Sequence, residues 1–158
     1  MYSTIAWATD GSPSALNALT VAAGLARQLH AKLAIIHVQE VIVGRGGIFV
    51  DPDEAAVAAL HRTAQQLRDE GIETTVLVSR APARNADQAI VNLAAKADAD
   101  MIVVGNRGHG PVAGLVLGNV VLRLRQAAPY PILMVPSRQT VGASPVADAV
   151  PEASLARR

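Results

Sequence analysis

The sequence predicts a parallel α/β fold, and three observations carry that expectation. Short β-rich runs alternate with longer helical patterns, the arrangement that crossover units and a parallel sheet require. The strand runs are apolar along their length, as in a sheet covered on both faces. Of the 158 residues, 51% are hydrophobic and 17% charged, enough apolar material for one domain and a substantial core.

The elements follow in order. Thr4 to Ala8 reads as a first strand. Asp10-Gly11-Ser12-Pro13 is a turn and helix start, with Ser12 placed to cap and Pro13 suited to the first helical position. Ala15, Leu19, Ala22, Ala26 and Leu29 then recur at helical spacing. Leu33 to Val38 is a second strand, and Gln39 to Asp51 is expected as a loop because it holds Gly44, Gly46 and Gly47. Pro52 opens a second helix with Val57, Leu60, Ala64 and Leu67 on one face, ended by Gly71. Glu73 to Val78 is a third strand, and Asn85 to Ala97 a third helix with Ala86, Ile90, Leu93 and Ala97 inward. Met101 to Gly105 is a fourth strand, Val120 to Ala127 a fourth helix, and Ile132 to Val135 a fifth strand between Pro131 and Pro136. Residues 1–137 form the expected domain, and 138–158, rich in Ala, Ser and Pro, a mobile tail.

Composition excludes several functions. Fourteen basic against 13 acidic residues leave a net charge of +1, and aromatics are 3%, which argues against a nucleic-acid partner. There is no cysteine, so disulfides, thiolate catalysis and Cys-ligated metal are absent. His30, His37 and His61 have no ligand spacing, and no metal site is expected. No run approaches the roughly 20 apolar residues of a membrane span. No charged n-region precedes an apolar segment, so a cytoplasmic protein is expected.

Five of the 12 glycines fall between residues 105 and 118: Gly105, Gly108, Gly110, Gly114 and Gly118. They lie between a buried strand and a helix, where backbone N–H groups and a helix start can face an anion. A Walker A loop is excluded, because neither Lys32 nor Lys96 follows a glycine. A dinucleotide fingerprint is excluded by position, because it belongs after the first strand of a crossover unit.

The remaining spacing is Gly105-x2-Gly108-x9-Gly118-Asn119, which resembles the nucleotide loop of the universal stress protein family, usually Gly-x2-Gly-x9-Gly-Ser/Thr. Thr9-Asp10-Gly11-Ser12 resembles that family's turn after the first strand. Ile36-His37-Val38 resembles its second-strand end, and Pro129-Tyr130-Pro131-Ile132-Leu133 its approach to the last strand. The resemblance covers residues 2 to 137. It implies an open, Rossmann-like five-stranded parallel sheet in the order 3-2-1-4-5, with helices on both faces and a strand-order reversal between strands one and four. Ligands in such sheets bind beyond the carboxyl ends at the reversal.

The resemblance also implies roles. Asp10, with Gly11 beside it, meets the ribose or adenine; otherwise Asp10 is a turn carboxylate satisfying nearby N–H groups. Val38 forms an apolar wall for adenine or is an ordinary strand residue. Gly105, Gly108 and Gly118 bring backbone donors to phosphate, with Val120 near that half of the site, or form a tight loop without ligand. Asn119 departs from the Ser/Thr of the pattern; its amide donates differently from a hydroxyl, and it is also placed to cap the fourth helix. Arg107 contacts phosphate or is a solvated loop cation, and His109, Asp98 and Asp100 read as solvated loop or turn residues.

The function implied is adenine-nucleotide binding, ATP with or without Mg or another adenine nucleotide, in a stress-response or signalling switch. The alternative is a non-binding dimeric interaction module of the same fold. A homodimer through the fifth strand is expected in both cases, because an apolar edge strand is otherwise left open. An enzyme is not expected. Related adenylating enzymes and ATP pyrophosphatases carry Ser-Gly-Gly-x-Asp-Ser after strand one, where this chain has Thr-Asp-Gly-Ser-Pro-Ser. Slow ATP hydrolysis fits the resemblance; efficient turnover does not.

Overall fold

The computed structural model describes residues 1–50, 54–106 and 119–136. The chain runs β1 (Thr4–Thr9), α1 (Pro13–Leu29), β2 (Lys32–Gly44), β3 (Gly47–Val50), α2 (Glu54–Asp69), β4 (Thr74–Ala81), α3 (Ala86–Lys96), β5 (Met101–Gly105), α4 (Asn119–Ala127) and β6 (Ile132–Val135). A 3-10 turn, Ala83–Asn85, precedes α3.

Five strands form the expected parallel sheet in the spatial order β4-β2-β1-β5-β6. This is the 3-2-1-4-5 arrangement, renumbered because β3 is an additional strand. The order reverses between β1 and β5.

The expectation for Gln39 to Asp51 needs correction. The second strand does not end near Val38 but continues to Gly44, and β3 folds back on it antiparallel, with Val41 opposite Val50 and Gly44 opposite Gly47. Glu40 to Val43 is a β-favouring run, and Gly47 to Val50 is another. Arg45 and Gly46 form the two-residue turn between them. The glycines are therefore the turn of a hairpin rather than a sign that the segment is irregular. Pro52 lies outside the described residues, and α2 is described from Glu54.

The first helix starts as its sequence requires. Ser12 is the cap, and its Oγ accepts from Ala15 N at 3.2 Å, with Pro13 at the first helical position. Gly71, at φ 87°, ends α2. α4 is described from Asn119 onward, and the residues before it, which would settle where the helix begins, lie outside the described residues.

Side chains alternate across the sheet into two apolar layers. Ile5, Trp7, Leu33, Ile35 and Val103 face α1 and α2 with Ala18, Ala22, Leu60, Ala64 and Leu67. Ala6, Ala8, Ile36, Ile102 and Val104 face α3 and α4 with Ile90, Leu93, Val121 and Leu124. Every residue of β1 is buried. Trp7 is fully buried, and its indole N–H donates to Ala15 O at 2.9 Å. The central strand is thereby tied to the first turn of α1, directly beneath the crevice of the strand reversal.

Candidate functional site

The carboxyl ends of β2, β1 and β5 lie side by side. Thr9 is in register with His37, and Ala8 with Val104, which brings the end of β1 between Val38 and Gly105. Sequence positions some 70 residues apart therefore share one edge of the sheet.

After Thr9 the chain makes a nested turn. Gly11 N donates to Thr9 Oγ1 at 3.1 Å, and Ser12 N donates to Asp10 Oδ1 at 2.9 Å. The exposed Asp10 carboxylate is thus oriented by the turn it caps. Gly11 has φ 79°, a conformation that costs an L side chain energy, so the turn needs glycine here. The turn reading of Asp10 is satisfied by this geometry, which also directs the carboxylate's position at the carboxyl end of the central strand.

Beneath the turn sits His37, buried, with Nδ1 2.9 Å from Thr9 O. A carbonyl only accepts, so Nδ1 carries a proton and donates. This ties the end of β2 to the end of β1. Ser14, also buried, donates from Oγ to Asn106 Oδ1 at 3.3 Å, linking α1 to the residue after β5. Sequence reasoning assigned no role to His37, Ser14 or Asn106, because their pairing depends on contacts between distant segments.

Gly105 is explained first by packing. A Cβ on it would stand 2.5 Å from Ser14 Oγ and 2.7 Å from Ser14 C. The helix backbone passes too close for any side chain. Val38 is half-buried on the α3/α4 side and joins Leu77 and Val120 around the same apolar cluster. Val38 and Val120, 82 residues apart in sequence, thus pack against the same buried layer.

Gly108 and Gly118 lie outside the described residues, as do Arg107 and His109. For Asn119 only its backbone place in α4 is described. Arg123 anchors that helix: its Nε pairs with Asp87 Oδ1 at 3.0 Å and its Nη2 donates to Ala83 O at 2.9 Å.

Asp100 is more than a solvated turn residue. Its Oδ2 accepts from Ser3 N at 2.6 Å, Ser3 Oγ at 2.8 Å and Thr4 N at 2.9 Å. The Thr4 and Ser3 backbone N–H groups, then the Ser3 hydroxyl, hold its carboxyl below the usual carboxylate range. It sits at the amino ends of β1 and β5, the opposite edge from the crevice, and so fastens strands rather than serving acid/base chemistry. Among the described residues no three or more His, Cys, Asp or Glu side chains gather as a metal site, and no helix is long and apolar enough to cross a membrane.

Comparison with known proteins agrees with this architecture. Residues 1–136 match the family model described as the universal stress protein family. A universal stress protein of Thermus aquaticus is 34% identical over 144 residues, covering 85% of this chain and 99% of that protein. The structure of a universal stress protein from Archaeoglobus fulgidus superimposes with a TM-score of 0.66 at 27% identity, over 85% of this chain and 99% of that one. A universal stress protein solved in complex with cAMP gives a TM-score of 0.61 at 29% identity, over 86% of this chain and 98% of that one.

Proposed function

The chain belongs to the universal stress protein family, and from that premise we propose that it binds an adenine nucleotide across the carboxyl ends of β2, β1 and β5. One observation carries the reading: along the sheet edge the order is Val38, then Asp10 and Gly11, then Gly105. An apolar wall, a carboxylate and a glycine strand end thus follow one another in the order of base, sugar and phosphate. The span is two strand spacings, roughly 10 Å. In this reading Val38 is a wall for the base, and Val120, packed on the same buried layer, lies toward the phosphate half of the site. Asp10, held by its bond from Ser12 N, accepts from a ribose hydroxyl. Gly105, Gly108 and Gly118, with Asn119 beside them, receive phosphate. Adenine-nucleotide binding is also supported by the relative solved with cAMP.

The finer reading is ATP, with or without Mg, as the ligand of a cytoplasmic stress-response switch that does not turn ATP over efficiently. Binding switches a protein only where it favours one of two states, and a homodimer through β6 is the assembly it would bias. A second reading has its own observation. Gly105 is required by its contact with Ser14 whether or not a ligand binds, so that glycine also suits a dimeric module without nucleotide.

The deciding experiment is a calorimetric titration of the protein with Mg-ATP, ADP, AMP and cAMP, with Gly118→Val as the control. Micromolar binding abolished in the control supports the nucleotide reading, and the order of affinities names the ligand. No heat from folded, nucleotide-free protein at several temperatures leaves the interaction module.

A further inference from the structure

The β2–β3 hairpin leaves the body of the sheet, and hydrogen-bond direction fixes the side on which it lies. Along a strand, the N–H and C=O groups of successive residues point to alternate sides. Lys32 N donates to Ser3 O, beside β1, and Leu33 N donates to Glu73 O, beside β4. Even-numbered residues of β2 therefore face β1, and odd-numbered ones face β4. The register of β2 runs without a slip from Leu33 against Thr74 to Glu40 against Ala81, and from Val41 against Val50 to Gly44 against Gly47. Gly44 and Gly47 flank a two-residue turn, so they bond directly to each other. Gly44 is even-numbered, and β3 accordingly lies on the β1 side of β2.

That side is the crevice. β1 ends with Thr9 opposite His37, and β3 ends with Val50 opposite Val41. Both flank the same edge of β2, four residues apart, roughly 13 Å. The hairpin thus overhangs the turn of Asp10 and Gly11, and Val38, the proposed base wall, lies in the gap. Beyond Glu40, β2 has no strand partner but β3 among the described residues. A two-stranded ribbon standing alone is marginally stable. Ile48, next to the turn, is 70% exposed, so it packs little on the body of the protein.

We infer that the β2–β3 hairpin is a flap that closes over the crevice and sets how fast a nucleotide leaves it. The inference rests on the nucleotide-binding reading and adds a moving part to it. The floor of the crevice is fixed, because β1 at its centre is buried along its whole length. The ribbon above is tied to that floor only through the continuation of β2. A ligand between floor and ribbon gives the ribbon a surface to pack on, so closure and retention of the ligand stabilise each other. Segments that move on binding come from the least stable parts of a fold, and a two-stranded extension is such a part.

The turn carries its own probe. Arg45 is exposed there and is the only Lys or Arg between Lys32 and Arg62, so tryptic cleavage after it yields fragments of distinct mass. Trypsin needs a locally opened segment, and the cleavage rate follows the open population. In the ligand-free full chain, cleavage after Arg45 should precede cleavage after Arg27, inside α1, and saturating ATP should slow it about tenfold. A second protein has residues 43–48 replaced by Asn-Gly, which closes the ribbon between the register partners Ile42 and Phe49. From it a fluorescent ATP analogue, chased with ATP, should dissociate about tenfold faster than from wild type. In protein that binds ATP, three results each overturn the flap: Arg45 cut no earlier than Arg27, cleavage unslowed by ATP, or an unchanged release rate from the folded variant. Where the variant does not fold, the cleavage of the full chain decides alone. Wild-type protein that binds no ATP instead overturns the nucleotide reading itself, and this inference with it.

Discussion

Gly105 and Ser14 pack with no room between them: a single methyl group on Gly105 would meet Ser14 Oγ at 2.5 Å, its carbonyl carbon at 2.7 Å and its carbonyl oxygen at 2.8 Å. Two of those atoms are helix backbone, which cannot rotate away. Gly105→Ala must therefore push α1 off β5. Overpacking of this kind costs about 1–3 kcal/mol. Urea unfolding should show a lower midpoint with an unchanged slope. An unchanged midpoint would mean that α1 yields freely and that the contact does not constrain this residue.

The turn above that contact separates folding from recognition. Asp10→Asn keeps the side-chain oxygen that accepts from Ser12 N but removes the charge. Its thermal midpoint should stay close to wild type, while affinity for ATP falls about tenfold, as expected for losing a hydrogen bond to a charged group. A large fall in the midpoint with unchanged affinity would assign Asp10 wholly to the turn.

Asp100 gives the fold a pH dependence of known sign. Three hydrogen bonds from Ser3 and Thr4 favour its ionised form, so its folded pKa is lowered relative to the unfolded chain. A depressed carboxylate contributes stability that is fully present above the unfolded value and is lost as pH falls through the folded one. Asp100→Asn should therefore be less stable than wild type at pH 7, and the difference should shrink as pH drops below the ordinary carboxylate range. Urea midpoints of both proteins at pH 7 and near pH 3 measure this. A difference independent of pH would make the contribution steric rather than ionic.

The parallel sheet was legible because its signals are local. Apolar runs, helical stripes and turn residues such as Ser12-Pro13 act within a few positions, and the five parallel strands fall on those runs, although β2 continues to Gly44 and β4 to Ala81, past their expected ends. The hairpin is not legible from composition, because Gly44, Gly46 and Gly47 carry the same signal as an irregular loop. The difference lies in the two β-branched runs flanking Arg45-Gly46 and in the pairing of Val41 with Val50. At the crevice, Asp10, Gly11, Val38 and Gly105 were found in the sequence, and the sheet brings them to neighbouring strand ends. Asp100, His37 and Ser14 are not legible in these roles. Each depends on a partner brought near by the fold from 28 to 97 residues away in sequence.

The indole of Trp7 reports on the same region from below. It is fully buried and bonded to Ala15 O in the first turn of α1. Trp7→Phe removes both the donor and part of the volume, leaving that carbonyl without its indole donor. The expected loss is about 2–4 kcal/mol, combining a cavity with a lost buried hydrogen bond. The reading is an equilibrium unfolding curve followed by circular dichroism, because the variant has no tryptophan signal. A loss under about 0.5 kcal/mol, well short of a buried hydrogen bond, would show that the core closes around Phe and that Ala15 O finds another donor.

The assembly prediction concerns the other edge of the sheet. β6 is terminal in the strand order, paired only with β5 among the described strands, and its residue Met134 is 38% exposed. A second copy pairing there would satisfy the open backbone groups and cover Met134, which is how an apolar edge avoids unspecific association. Met134→Lys places a charge on that edge without touching Val135, the buried residue beside it. Sedimentation equilibrium should find wild type as a dimer and the variant as a folded monomer, with unchanged circular dichroism. If the variant stays dimeric, the copies meet elsewhere. The comparison is then repeated at Val78, exposed on the β4 edge at the far side of the sheet, where Val78→Lys should disrupt the dimer if that edge is the one used.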